Sequence, residues 1–185
     1  MKAVFLSLGL LGLSLAVAGC NRAVTICDLS TATRVSQLTD SGSAAAGARP
    51  TSLAELHTTR KLTAFTVAFC PDDATVAAGC LDGVIRLWDV KSGDLRQPFS
   101  GHVGAVCRVA FAPDGRTLAS LGQDNVVNLW HVATGQRFFS LDTQKRELRG
   151  LAFLRDGRML VAGARSATKD GPSSLLLWRA EPAGP

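Results

Sequence analysis

The chain has no tyrosine and only three histidines, His57, His102 and His131. It also has no H-E-x-x-H, no G-x-S-x-G and no Gly-Lys-Ser loop that could cradle a phosphate. These absences remove the usual zinc hydrolase, serine hydrolase and nucleotide-hydrolysing arrangements. Paired carboxylates for hydrolysis would have to come from turn residues whose geometry already accounts for them. The five cysteines, Cys20, Cys27, Cys70, Cys80 and Cys107, form no C-x-x-C pair and have no histidine at metal spacing. Their odd number argues against a closed disulfide framework, although lipidation of one would leave four. They read as small buried hydrophobes. The expectation is a protein with no catalytic residues, cofactor or metal.

Aromatic residues make up only 6% of the chain. The net charge is +5, and the basic residues thicken late, at Lys145, Arg146, Arg149, Arg155, Arg158 and Arg165, against Glu147 and Asp156. Nucleic-acid grooves interleave stacking aromatics with such charge, yet this stretch offers only Phe153, which the repeat pattern assigns to the core. The arginines are therefore expected on solvated strand edges, and nucleic acid is not the expected partner. The modest positive excess favours acidic partners without naming them.

With 185 residues, 46% of them hydrophobic, the chain can bury a core as one globular unit. Eighteen glycines, with Val, Leu and Thr clustered near turn-forming dipeptides, predict short strands and an all-β fold. A repeat organises them. Val67-Ala68-Phe69, Val109-Ala110-Phe111 and Leu151-Ala152-Phe153 are spaced 42 residues apart, as are Trp88 and Trp130. Trp178 follows after 48, which places a six-residue insertion around Ser166–Gly171, in a loop. Each copy reads as apolar strand, turn, apolar strand, turn, strand ending in Trp, turn, strand. Pro71-Asp72-Asp73, Pro113-Asp114-Gly115 and Asp156-Gly157 mark the first turn, and Ser92-Gly93 and Thr134-Gly135 the third. Proline fixes φ at a turn's first corner and glycine accepts positive φ, so these aspartates read as turn formers, not as catalysts or metal ligands.

Asp82-Gly83 before Leu87-Trp88-Asp89, and Gly101-His102 leading through Val109–Gly115 to Leu129-Trp130, resemble the WD-repeat proteins over residues 61–180. The resemblance implies a β-propeller of four-stranded blades. It also implies, in each blade, a hydrogen-bonded tetrad of His, Ser or Thr, Asp and Trp. One copy keeps all four, as His102, Ser120, Asp124 and Trp130. The copy ending at Trp88 keeps Asp82 but has Arg60 and Ala78 at the His and Ser positions, and the last copy keeps only Trp178. Those two copies are expected to rely on apolar packing. His102 is expected to be structural, and His131 stands where Asp89 stands one copy earlier.

Residues 6–34 align without a gap on 109–137, with Leu8 on Phe111, Gly12 on Gly115, Leu15 on Leu118, Asn21 on Asp124 and Cys27 on Trp130. This reads as a degenerate first blade whose outer strand runs through Arg34–Leu38. The same N-terminus, Met1-Lys2 and an apolar stretch ending Val17-Ala18-Gly19-Cys20, also has the layout of a bacterial lipoprotein signal over 1–19, with Cys20 lipidated. Ala77-Ala78-Gly79-Cys80 shows the same ending inside an ordinary repeat. The blade reading places the protein in the cytoplasm and the signal reading in the bacterial envelope. Fatty-acid labelling abolished by Cys20→Ser would decide for the second.

The expected organisation is a first blade over 1–39, a small-residue linker over 40–60 with a helical turn at Ser52–Leu56 and His57 on its surface, blades over 61–100 and 101–144, a blade lacking its outer strand over 145–180, and a tail over 181–185. About four blades, as a partial or four-bladed ring, would act as a non-catalytic scaffold that binds protein or peptide partners through its loops. Incomplete edges would invite self-association. The alternatives are a membrane-anchored lipoprotein scaffold and, against the inventory above, an enzyme with its site in the channel.

Overall fold

The computed structural model describes the backbone of five strands within residues 5–44. It describes residues 64–143, 148–165 and 174–179 with their side chains, Asp142 excepted. All of these segments are strand, turn or irregular, with no helix among them. The expected helical turn at Ser52–Leu56, the insertion at Ser166–Gly171, Cys20, His57 and Arg60 lie outside the described residues.

Among the described residues sixteen strands form four antiparallel sheets, each a meander in chain order. The first comprises β1 (Phe5–Leu8), β2 (Ser14–Ala18), β3 (Val24–Asp28), β4 (Thr33–Thr39) and β5 (Gly42–Ala44). The second comprises β6 (Ala64–Phe69), β7 (Thr75–Cys80), β8 (Val84–Asp89) and β9 (Phe99–Ser100). The third comprises β10 (Val106–Phe111), β11 (Thr117–Gly122), β12 (Val126–His131) and β13 (Arg137–Asp142). The fourth has three strands among the described residues, β14 (Leu148–Phe153), β15 (Met159–Ala164) and β16 (Ser174–Arg179). The first strands of the sheets, β1, β6, β10 and β14, lie side by side in that order. The second and third sheets are the four-stranded antiparallel sheets that make β-propeller blades, and the all-β chain is consistent with that architecture. Gly42–Ala44, within the stretch expected as linker, pairs with β4 as a fifth strand.

The 42-residue period reaches individual hydrogen bonds. The Cys70, Ala112 and Leu154 amides donate to the carbonyls of Thr75, Thr117 and Met159, closing the same turn three times. An Asx bond steadies each, from the Ala74, Arg116 and Arg158 amides to Asp72, Asp114 and Asp156. These aspartates stand in the turn role their sequence context predicts. Gly115 and Gly157 take positive φ at the corner, and Asp73 is held at φ 53° at the same position of the second sheet. Aspartate tolerates this left-handed conformation better than most side chains do. Register breaks recur as well. The first pair of strands is shifted between Ala64 and Thr66, between Val106 and Arg108 and between Leu148 and Gly150. The shift between Ile26 and Cys27 in the first sheet falls where the alignment puts Leu129 and Trp130, the site of the same shift in the third. Bulges bend and twist a sheet at a set place.

The third sheet buries its two faces against the second and the fourth. Ala77, Ile85 and Leu87 of the second sheet cluster with Val106, Val109, Phe111, Leu118 and Trp130 of the third. Phe99 stacks on Trp130 across the same boundary, with ring centroids 5.7 Å apart. Ala119, Leu121 and Val127 on the other face of the third sheet pack against Leu148, Leu160, Ala162 and Ala164. Burying a large aliphatic or aromatic side chain contributes about 1.5–3 kcal/mol, so these interfaces dominate the favourable side of folding. Cys70 and Cys80 are buried in this packing, and burial pushes the Cys70 thiol up to about 11. Phe153 packs at the edge of the last cluster, and Arg149, Arg155, Arg158 and Arg165 lie in solvent.

Candidate functional site

The third sheet brings together the four residues of the complete repeat. His102 comes from the turn before β10, Ser120 from β11, Asp124 from the β11–β12 turn and Trp130 from β12. Trp130 Nε1–H donates to Ser120 Oγ at 2.7 Å, and Ser120 Oγ lies 2.7 Å from His102 Nε2. His102 Nδ1 lies 3.0 Å from Asp124 Oδ2. An ionised carboxylate only accepts, so His102 carries its proton on Nδ1 and donates to Asp124. Its Nε2 then accepts from the Ser120 hydroxyl, whose oxygen accepts from the indole. Asp124 further accepts the backbone N–H groups of Val103, at 2.9 Å, and Val126, at 3.1 Å.

Every polar group in this chain of bonds is satisfied with His102 neutral, and the protonation energetics agree. Burial pushes the His102 pKa down, and this outweighs the upward pull of the Asp124 hydrogen bond and charge. Burial pushes the Asp124 carboxyl up, but the Val103 N–H, His102 and the Val126 N–H more than offset it and hold it below the ordinary range. A group whose folded pKa is lowered binds more protons when unfolded, so its stabilisation is complete above the unfolded pKa and fades as pH falls. For His102 the loss begins as pH drops below the ordinary histidine value of 6.5, and for Asp124 below 3.8. The thermal midpoint is therefore expected to fall between pH 7 and pH 5, with a shallower fall in His102→Gln. Equal slopes for the two proteins across that window would exclude His102 as the source.

Two residues of these networks went unnamed in the sequence reading. Asn128 is fully buried, accepts from Ser140 Oγ at 2.6 Å, and lays its Nδ2 3.3 Å from His102 Nε2. Arg86 occupies the same strand position in the second sheet and is 8% exposed. Its Nη1 and Nη2 donate to Asp82 Oδ1 and Oδ2 at 3.1 and 2.8 Å. This corrects the expectation that the Trp88 blade relies on apolar packing. Where His and Ser are missing, a guanidinium fork reaches the turn aspartate from inside the strand and holds it by two charge-assisted bonds. Burial raises the Asp82 carboxyl, and Arg86 together with the Val84 N–H brings it below the ordinary range. The available signal was a polar residue two positions before Trp in both copies, at a strand position where a buried apolar residue would be expected. The fourth sheet has Leu176 there, and Leu176 and Trp178 pack against the third cluster. Trp88 is fully buried in the cluster of the second sheet.

The polar chain also shapes the surface at that end of the sheets. Gly83 tucks so closely against the turn at 102–104 that an added Cβ would lie 2.7 Å from the His102 carbonyl oxygen and 2.9 Å from that of Gly104. The β7–β8 turn of one sheet and the turn leading into the next therefore meet backbone to backbone. Leu81 on the first is 47% exposed and Val103 on the second 82% exposed. At the opposite end, Pro71, Asp72, Pro113, Asp114, Gly115 and Arg116 line a shallow groove of about 450 Å³. His131 lies on the third sheet's rim against Phe138, ring centroids 4.4 Å apart. Among the described residues no three His, Cys, Asp or Glu side chains gather as a metal-ligand set.

The family model described as WD domain, G-beta repeat matches residues 52–89 and 93–131. The matched segments contain Trp88, and His102 through Trp130, so the polar chain falls within them. No curated protein matches the chain.

Proposed function

We propose that this chain, two of whose repeats match the WD-repeat family model, is a scaffold of the kind whose domains generally mediate protein–protein contacts and are typically non-catalytic, and that it binds a protein or peptide partner at the end that carries Leu81 and Val103. The observation that carries this reading is the way Val103 is presented. Its amide is fixed by the Asp124 carboxylate while its side chain is 82% exposed, and the adjoining turn carries a second exposed aliphatic residue, Leu81. An apolar side chain on a rigid turn costs little further entropy when a partner covers it. The polar residues behind it are used up in holding the turn, with no side chain of the set left directed at a substrate. The same reading includes self-association through the ends of the row of blades.

Val103→Asp and Leu81→Asp test the site, because both positions are open to solvent and a charge there leaves the packing intact. We expect each to leave the thermal midpoint within about 1–2 °C of the parent, as surface changes do. Each is expected to weaken capture of the partner from the native host, confirmed with the purified partner, by tenfold or more. Full binding by the double variant would exclude this end as the docking surface.

A further inference from the structure

The fourth strands of the first three sheets present unlike edges. In the first sheet β4 is covered along its outer side by β5. In the second sheet β9 is only two residues long and follows Pro98, which has no N–H to offer. Short strands and prolines are ways in which natural proteins blunt an edge. In the third sheet β13 keeps six residues, and among the described residues no strand pairs with its outer side. Its middle, Phe138-Phe139-Ser140-Leu141, has neither charge nor proline, and Phe138 and Phe139 are 46% and 52% exposed. A long apolar edge of this kind is a template for a further strand. The chain that follows is too short to supply one. Five residues separate β13 from β14, and β14 lies beside β10, three strand spacings or about 14 Å away.

The hydrogen bonds fix which groups this edge presents. At the end of β12 the Val132 amide donates to the Arg116 carbonyl and the His131 amide to the Gln136 carbonyl. Antiparallel bonding alternates along a strand, so the odd-numbered residues of β12 bond β13. Leu129 and Val127 stand opposite Phe139 and Leu141. Ser140, between them, therefore turns its backbone N–H and C=O outward. We propose that this edge seats the same strand of a second copy of the chain, antiparallel and centred on Ser140. The two Ser140 residues then exchange backbone N–H···O bonds across a two-fold axis, and Phe139 of each copy lies opposite Leu141 of the other. Phe139 and Leu141 share one face of β13, the face on which Leu141 packs against the third cluster. The strand is thus complementary to itself: each exposed Phe139 is met by an aliphatic residue, and no charge falls between the two. The contact joins the same surface of both copies, so it closes at two chains however many blades the ring has.

The test uses the full 185-residue chain. Light scattering coupled to size exclusion should give twice the 19.4 kDa chain mass. Phe139→Lys sets a charge against Leu141 of the other copy twice in each dimer, and should weaken self-association by roughly a hundredfold. It should give the single-chain mass with an unchanged circular dichroism spectrum. A monomeric parent, or a folded variant that stays dimeric, would overturn the proposal. A second measurement reads the register and decides alone if Phe139→Lys loses its fold. Ser140→Cys, mixed as isotopically heavy and light chains and treated with a short bis-maleimide, should link residue 140 of one chain to residue 140 of the other. Dimers that lack this link would place the contact elsewhere on the molecule and overturn the pairing. Partner capture is read separately, because β13 shares no residue with the turns that carry Leu81 and Val103. A monomer that still binds at Val103 overturns the dimer and leaves the scaffold reading standing, and a linked dimer that captures nothing does the reverse.

Discussion

Replacing Trp130 by alanine is expected to cost about 3–5 kcal/mol of unfolding free energy, the range for deleting a buried large aromatic. Trp130 is 1% exposed and belongs to two systems at once. Its ring is the surface on which Phe99 of the preceding sheet stacks, and its indole N–H donates to Ser120 at the head of the polar chain. The substitution opens a cavity at the boundary between two sheets and removes a hydrogen bond. In a repeat architecture each unit is stabilised mainly by its neighbours, so the loss is shared by both sheets. Trp130→Phe separates the contributions. It keeps most of the stacking area and loses the N–H, and is expected to cost about 1–3 kcal/mol, the penalty for one buried partner removed. Trp178→Ala is expected to cost less than Trp130→Ala, because Trp178 is only partly buried. Urea denaturation at pH 7 measures all three. A Trp130→Ala protein within about 1 kcal/mol of the parent would mean that the packing between these sheets does not hold the fold.

The second large effect is expected at Asp124. Asp124→Ala removes the acceptor for the Val103 and Val126 amides and for His102 Nδ1–H in one step. Hydrogen bonds to a charged group contribute about 1.5–3 kcal/mol each, and because the site is partly open to water the expected total is near the value for one such bond. The binding consequence is larger than that figure suggests. With its amide released, Val103 no longer sits on a fixed turn, so a partner must order the turn as it binds. Asp124→Ala is therefore expected to lose stability and affinity together, whereas Val103→Asp loses affinity alone. Hydrogen exchange at the Val103 amide gives the direct reading, and unchanged protection in Asp124→Ala would show that the turn is held by something other than this carboxylate.

Much of the fold was legible because it is written locally. A Pro-Asp-Gly corner, a run of β-branched and aliphatic residues, and a Val/Leu-Ala-Phe triplet returning every 42 residues specify turns and strands through steric preferences acting within a few residues. The complete tetrad could be named because the resemblance to WD-repeat proteins implies one and four positions of one repeat match it. Arg86 could not, because a strand arginine is ordinarily read as solvated. Only the meeting of β8 with the turn that carries Asp82, flanked by the neighbouring sheets, makes it a buried partner. Asn128 escaped for the same reason.

The exposed aliphatic positions were less legible still. Leu81 and Val103 are 22 residues apart and have no periodic relation. The turns that carry them come together because Gly83 packs closely against the carbonyls of His102 and Gly104. Leu175 and Leu177 continue the strand pattern of Ile85 and Leu87, and the sequence alone would bury them in the same way.

By itself, then, the sequence determined the repeat, the strands and the turn geometry, since each is governed by residues close together along the chain. The tertiary structure alone decided which polar residues are buried and which aliphatic residues stand in solvent. Those outcomes depend on what packs against each sheet from outside its own repeat.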